Sequence, residues 1–321
     1  MIILNSSIFF VGLCLLILSS DLLIQGSVKL SILLKLSPLF IGLILIAFGT
    51  SAPEAAIGII AAIRDYKGIA LGNIIGSNIA NIGLILGLCA LISPLAVKDK
   101  GVFRKEIPIM LGSVVLFYIL CRDLTISRPD GVIFIISFII FCFVSYRGAR
   151  KSFDPSETND FKLKRILQKM NSKFFLCLII LAALVGVVYA ADVMVKSGAR
   201  LAEIFGIKPW IIGITVFAIG SSLPELAASL TASLKKVPSI SVGNIIGSNI
   251  FNVLLVLGIV ALIRPITLDA AILSFEFPAL IIFSFGLFTV MRTGYKISRK
   301  EGILLFLGYI VFLVILIIKR I

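Results

Sequence analysis

Two glutamates stand where ionised side chains are rare. Glu54 closes the stretch AFGTSAPE at residues 47–54 and Glu225 closes AIGSSLPE at residues 218–225, both deep in apolar sequence with no Lys or Arg adjoining. An ionised carboxylate in such surroundings carries a severe desolvation cost unless a partner neutralises it. A metal ion or a proton supplied from outside is the partner this pattern calls for. The neighbouring polar residues all present oxygen. Thr50 and Ser221 stand four positions before the glutamates, and two further runs set Asn73, Ser77 and Asn81, then Asn244, Ser248 and Asn252, at helical spacing. Carboxylates, hydroxyls and amide carbonyls make a hard, sulfur-free donor set of the kind Ca2+ and Na+ take in preference to zinc or copper.

Charge balance adds a coupling rule. One Ca2+ neutralises two glutamates, so a loaded site can be closed off from water at tolerable cost, whereas a bare dianion cannot. Na+ ions or protons can replace the missing charge, which turns a carrier into an obligate exchanger without contact between the competing ions.

The elements that must position these residues are membrane helices. Sixty per cent of the 321 residues are hydrophobic and the mean hydropathy is +1.16, and apolar runs of about 20 residues, enough to cross a bilayer, recur along the chain. They fall at residues 6–28, 38–63, 71–96, 104–121 and 130–147, then 174–199, 209–234, 242–266, 269–291 and 301–318. The fold class expected is an all-α membrane protein of ten transmembrane helices. Gly49 with Pro53, and Gly220 with Pro224, predict breaks in the second and seventh helices, with unusual glycine dihedrals and exposed carbonyls.

An internal repeat organises these runs. At a constant offset of 171 positions Asp21 matches Asp192, Pro38 matches Pro209, Gly42 matches Gly213, Glu54 matches Glu225 and Pro94 matches Pro265, and GNIIGSNI at 72–79 recurs letter for letter at 243–250. Five helices per repeat is an odd number, so the halves enter the membrane from opposite sides: inverted repeats with a site at their meeting plane. Residues 1–147 form the first five-helix repeat, 148–173 a polar linker with room for a short surface helix, and 174–321 the second repeat. Lys and Arg concentrate in the joints after the odd-numbered runs, which predicts that this side is cytoplasmic and that both termini are extracytoplasmic. The same placement of basic residues argues against a nucleic-acid partner, despite a net charge of +14. Five scattered cysteines read as packing residues. The first apolar run lacks a basic leader, so it is expected to remain as a membrane helix.

GTSAPE with GNIIGSNIAN, and GSSLPE with GNIIGSNIFN, resemble the two alpha-repeats of the cation/calcium exchanger superfamily, particularly prokaryotic sodium/calcium exchangers. The resemblance spans both halves and implies the sodium/calcium exchanger-like fold. By motif position it implies cation ligands at Thr50, Ser51, Glu54, Ser77 and Asn81 in the first half, and at Ser221, Ser222, Glu225, Ser248 and Asn252 in the second. It adds the backbone carbonyls of Ala47 and Ala218 as Na+ ligands. Two departures stand out: Asn252 replaces an aspartate found in some relatives, including potassium-dependent ones, and the second repeat reads GSS for GTS.

The expected function is antiport of Ca2+ against Na+ by alternating access in a plasma membrane, with the bilayer as surroundings, no cofactor, no enzymatic activity and no obligate protein partner. A Ca2+/H+ antiporter is the nearest alternative, since the same carboxylates can carry protons. An intramembrane hydrolase would use buried acids for proton transfer or metal-activated water, but the chain has no histidine and hydrolysis needs no inverted duplication. A passive cation channel is the fourth reading. Bland roles suit other residues: Gly72, Gly76, Gly243 and Gly247 as close-packing positions, and Asn73, Asn78, Asn244 and Asn249 as partners for backbone freed at the breaks. Asp21 and Asp192 are expected to share one interfacial or gating task, Glu276 to lie at an interface, and Trp210 to anchor a helix end.

Overall fold

A computed structural model describes residues 1–64, 67–97, 102–151, 153–154, 161, 163–205, 220–268, 270–292 and 294–320. Among them, seven helices are long and apolar enough to cross a membrane, and a bent pair makes an eighth. In chain order they are α1 (Ile2–Leu34), the bent pair α2 (Pro38–Thr50) and α3 (Ala52–Ile63), α4 (Ala70–Ile92), and, after the shorter α5 (Ile107–Leu120), α6 (Arg128–Lys151). A linker turn, α7 (Arg165–Lys169), precedes α8 (Lys173–Ile204) and the short α9 (Leu223–Leu234). The chain ends with α10 (Pro238–Ile263), α11 (Ala270–Ser274), α12 (Glu276–Arg292) and α13 (Arg299–Arg320). The first half of the expected helix 209–234, including Trp210 and Ala218, lies outside the described residues.

The breaks occur where the prolines predict them, with different geometry. α2 and α3 meet at 44°, and the residue between them is Ser51, at φ −82 and ψ 9; Ser222 repeats this before α9 at φ −90 and ψ 6. Pro53 and Pro224 then sit in the first turn of the next helix, where an absent amide hydrogen costs nothing. The unusual glycine dihedrals expected at Gly49 and Gly220 are not found: neither has a positive φ. Their value is space instead. A Cβ on Gly49 would stand 2.5 Å from a Leu184 methyl, and one on Gly220 would collide with Val195. A wide, π-helical turn, Ile41–Ile46 in α2, precedes the first break, and two more lie in the helices beside the glutamates, Asn81–Leu86 in α4 and Phe251–Val256 in α10.

Contacts between the halves reproduce the 171-residue offset as a pseudo-twofold axis. Strand β1 (Leu95–Ala96) pairs antiparallel with β4 (Lys296–Ile297), and β2 (Thr125–Ile126) pairs with β3 (Ile266–Thr267). Leu95 opposite Ile297 is the image of Ile126 opposite Ile266. Closer to the axis, the Asn78 side chain donates to the Asn249 carbonyl at 3.3 Å and Asn249 returns the bond to the Asn78 carbonyl at 3.3 Å.

Two large apolar clusters, with a small third one at Leu36, Ile41 and Ala149, make up the core of the described residues. The larger joins α4, α5, α10, α12 and α13; the other joins α1, α8 and α9 with linker residue Leu167. Helices α1 and α8 run side by side as a unit outside the larger core. Between the units, α2 lies directly on α10. A Cβ on Gly42 would stand 2.5 Å from the Ile240 carbonyl oxygen, and one on Gly243 2.5 Å from that of Leu39. Gly247 likewise faces Leu43 backbone. Around Gly72 and Gly76 no described atom lies within 4 Å of an added Cβ; the images of their partners fall in residues 209–219, outside the described set.

Candidate cation site

Both glutamates are buried, each about 1% exposed, and within electrostatic reach of one another. They face the protein interior, not lipid. Placement follows from the breaks: each glutamate is in the first turn of α3 or α9, where the positive end of the helix dipole favours an anion. Contacts cross the interface between halves. Ser51, at the first break, donates its hydroxyl to Glu225 Oε1 at 2.9 Å, and Thr50 donates to Asn244 Oδ1 at 3.2 Å.

Thr50, Ser51, Ser77, Asn81, Ser222, Ser248 and Asn252 are all buried around the two carboxylates' helices, and Ser221 is half-buried. Ala47 is buried, and its carbonyl accepts the Ser51 amide at 3.0 Å and lies 3.5 Å from the Thr50 hydroxyl. Ala218 cannot be placed because it lies outside the described residues.

The pattern of unmet hydrogen-bonding capacity singles out part of the same group. Among the described residues, buried side-chain oxygens without a partner are both of Glu54, Oε2 of Glu225, the hydroxyls of Ser222 and Ser248, and Oδ1 of Asn81 and Asn252, with Ser20, Ser27 and Ser284 elsewhere. Buried polar atoms are normally satisfied because leaving one bare costs roughly 1–3 kcal/mol. These seven bare oxygens on the repeat motifs, two of the three carboxylate members on a single glutamate, are electron-pair donors lacking a positive partner. No group of three or more His, Cys, Asp or Glu occurs among the described residues, so neutral oxygens must provide most of any shell, which suits Na+ and Ca2+.

The four asparagines outside the expected ligand set aim those oxygens. Asn81 Nδ2 donates to Asn249 Oδ1 at 3.0 Å, and by the same symmetry Asn252 Nδ2 donates to Asn78 Oδ1 at 3.1 Å. Each bond occupies the amide nitrogen and leaves Oδ1 of Asn81 or Asn252 free. Asn73 and Asn244 donate to the backbone carbonyls of Glu54 and Glu225 at 3.3 and 3.4 Å, tying each glutamate turn to the helix beside it. The letter-for-letter repeat of GNIIGSNI was the signal for this positioning role.

Asp21 and Asp192, expected to share a task, do not. Asp21 pairs with Lys164 and Lys235 and is mostly covered, whereas Asp192 bonds Lys196 one turn along its own helix at the surface. Among the described residues the linker touches only the Asp21 end, which breaks the symmetry.

Comparison with known proteins gives the family and the fold. The family described as Sodium/calcium exchanger protein matches residues 5–147 and 175–318. The chain is 34% identical over 304 residues to the putative antiporter CaxA of Alkalimonas amylolytica, covering 94% of each chain. It is 34% identical over 350 residues to the sodium/calcium exchanger MaX1 of Methanosarcina acetivorans, covering 98% of this chain and 99% of that one. A structure of the sodium-calcium exchanger NCX_Mj superposes with a TM-score of 0.83 at 33% identity, covering 97% and 98% of the two chains.

Proposed function

The chain belongs to the sodium/calcium exchanger family, and from that premise we propose that it exchanges Ca2+ for Na+ across a plasma membrane, with both ions as substrates at the Glu54–Glu225 site. The observation that carries this reading is the set of buried oxygens without partners, seven of which fall on six residues of the ligand set the repeat motifs imply: Glu54, Asn81, Ser222, Glu225, Ser248 and Asn252.

Ca2+ is held by the two carboxylates with Ser77, Ser248 and the carbonyl oxygens of Asn81 and Asn252 as neutral donors. Thr50, Ser51, Ser221 and Ser222, with the Ala47 and Ala218 carbonyls, serve the flanking Na+ positions. Two negative charges set the exchange. With Ca2+ or Na+ bound, the site is neutral or nearly so and can be sealed in the low-dielectric interior; stripped, it holds two uncompensated carboxylates, and the closed intermediate becomes inaccessible. Access alternates because the two halves are inverted copies: exchanging their conformations exchanges the open side. We place ten spans in the membrane, the linker in the cytoplasm and both termini outside.

Na+ as counter-ion follows from the neutral hydroxyl and carbonyl donors beside the carboxylates, which a proton would not need. The test is Ca2+ uptake into proteoliposomes with Na+, H+ and K+ gradients imposed separately. An outward Na+ gradient drives uptake, and Glu54→Gln and Glu225→Gln each abolish it. Uptake driven by a pH gradient without Na+, or persisting in the double variant, contradicts the proposal.

A further inference from the structure

Helix α1 presents Asp21, Gln25 and Lys29 one turn apart on one face, and the inter-repeat linker is bonded to all three. Asp21 Oδ2 pairs with Lys164 Nζ at 2.8 Å and accepts Gln25 Nε2 at 2.8 Å. Gln25 Oε1 accepts the Lys164 amide at 2.9 Å, and buried Lys29 donates to the Gln168 carbonyl at 3.0 Å. The other oxygen of Asp21 pairs with Lys235, immediately after α9, so one carboxylate ties together α1, the linker and the helix that begins with the Glu225 turn. Phe161, Leu163 and Met170 pack beneath on the same cluster as α1 and α9.

The molecule carries its own control. At the inverted-repeat image Asp192 bonds only Lys196 among the described residues, and Lys196 stands where α1 has Gln25. The two ends of the exchanger are therefore not equivalent.

We infer that the linker is a latch: through Asp21 it holds α1 against the end of α9, favouring the conformation closed on the linker face and making that closure harder to open than its image. This rests on the alternating-access reading above. A latch lowers the fraction of molecules open on its own side, and apparent affinity on that side falls in proportion.

The test measures the KM for Ca2+ separately on each face, in inside-out and right-side-out vesicles, for the parent, Asp21→Asn, Lys164→Gln and Asp192→Asn. Loss of a partly exposed ion pair is worth up to roughly a fivefold change. Asp21→Asn and Lys164→Gln are expected to lower KM on the linker face by about twofold to fivefold without lowering it on the opposite face, and Asp192→Asn to lower it on neither. An unchanged linker-face KM, or an equal fall on both faces, overturns the latch. Amide exchange across residues 161–170 reads the same contact without transport: it accelerates in Asp21→Asn if the latch exists and matches the parent if it does not. Absence of Na+-coupled flux in the parent would instead refute the exchange reading, leaving the amide measurement to decide the latch.

Discussion

Gly42→Ala tests whether helix contact sets the site. A Cβ there would stand 2.5 Å from the Ile240 carbonyl oxygen and 3.1 Å from both Ile240 Cα and the Asn244 amide nitrogen. Ordinary carbon contacts lie about 1 Å further out. All three neighbours are backbone, so no side chain can rotate away and α2 must retreat from α10. Overpacking of this kind costs roughly 1–3 kcal/mol. The retreat also strains the 3.2 Å bond from Thr50 to Asn244, two turns along α2, so Ca2+ exchange should fall together with thermal stability. Gly112→Ala and Gly286→Ala are the controls. Each lies within a helix, and no described atom is within 4 Å of the added carbon; alanine there should be neutral or stabilising by about 0.5–1 kcal/mol. The assay is thermal unfolding in detergent alongside Na+-driven Ca2+ uptake in proteoliposomes. A Gly42→Ala protein that melts and transports like the parent would show that the helices are not in backbone contact, and would remove the basis for placing Thr50 beside Asn244.

Thr50→Val removes the donor to Asn244 Oδ1 and should lower the unfolding free energy by about 1 kcal/mol, measured by denaturation, with a larger loss of Na+-dependent uptake. Asn78→Leu takes the acceptor from Asn252 and one of the reciprocal bonds to Asn249; about 1–3 kcal/mol of stability should go, and Ca2+ affinity by calorimetry should drop because Asn252 Oδ1 is no longer aimed. Asn252→Asp adds a third carboxylate that a single Ca2+ cannot neutralise. Exchange should slow at neutral pH and recover as acid protonates the added group, a profile the parent should lack.

Legibility in the sequence followed the reach of each interaction. A candidate site can be proposed from sequence because its determinants are local and duplicated: Pro53 and Pro224 mark the turns, and repetition at 171 positions turns single hydroxyls into a pattern. Helix limits were less readable. α1 was expected to stop at residue 28 because Lys29 looks like a boundary, yet it runs to Leu34, since Lys29 is buried on a carbonyl 139 positions away. α10 begins at Pro238, earlier than the expected 242, because the polar Ser241 is buried against Ser233. The two-residue strands escaped notice, being too short for any alternation to register. Asp21 and Asp192 looked alike for the same reason that the repeat was detectable: only the unduplicated linker distinguishes them.

The most direct test of the central claim is to diffuse Sr2+, an anomalous scatterer that stands in for Ca2+, into crystals of the parent and of Glu54→Gln. The account predicts a single strong peak between the carboxylates of Glu54 and Glu225 in the parent, displaced by Na+ and absent in the variant. A peak elsewhere, or one that survives in Glu54→Gln, would contradict it.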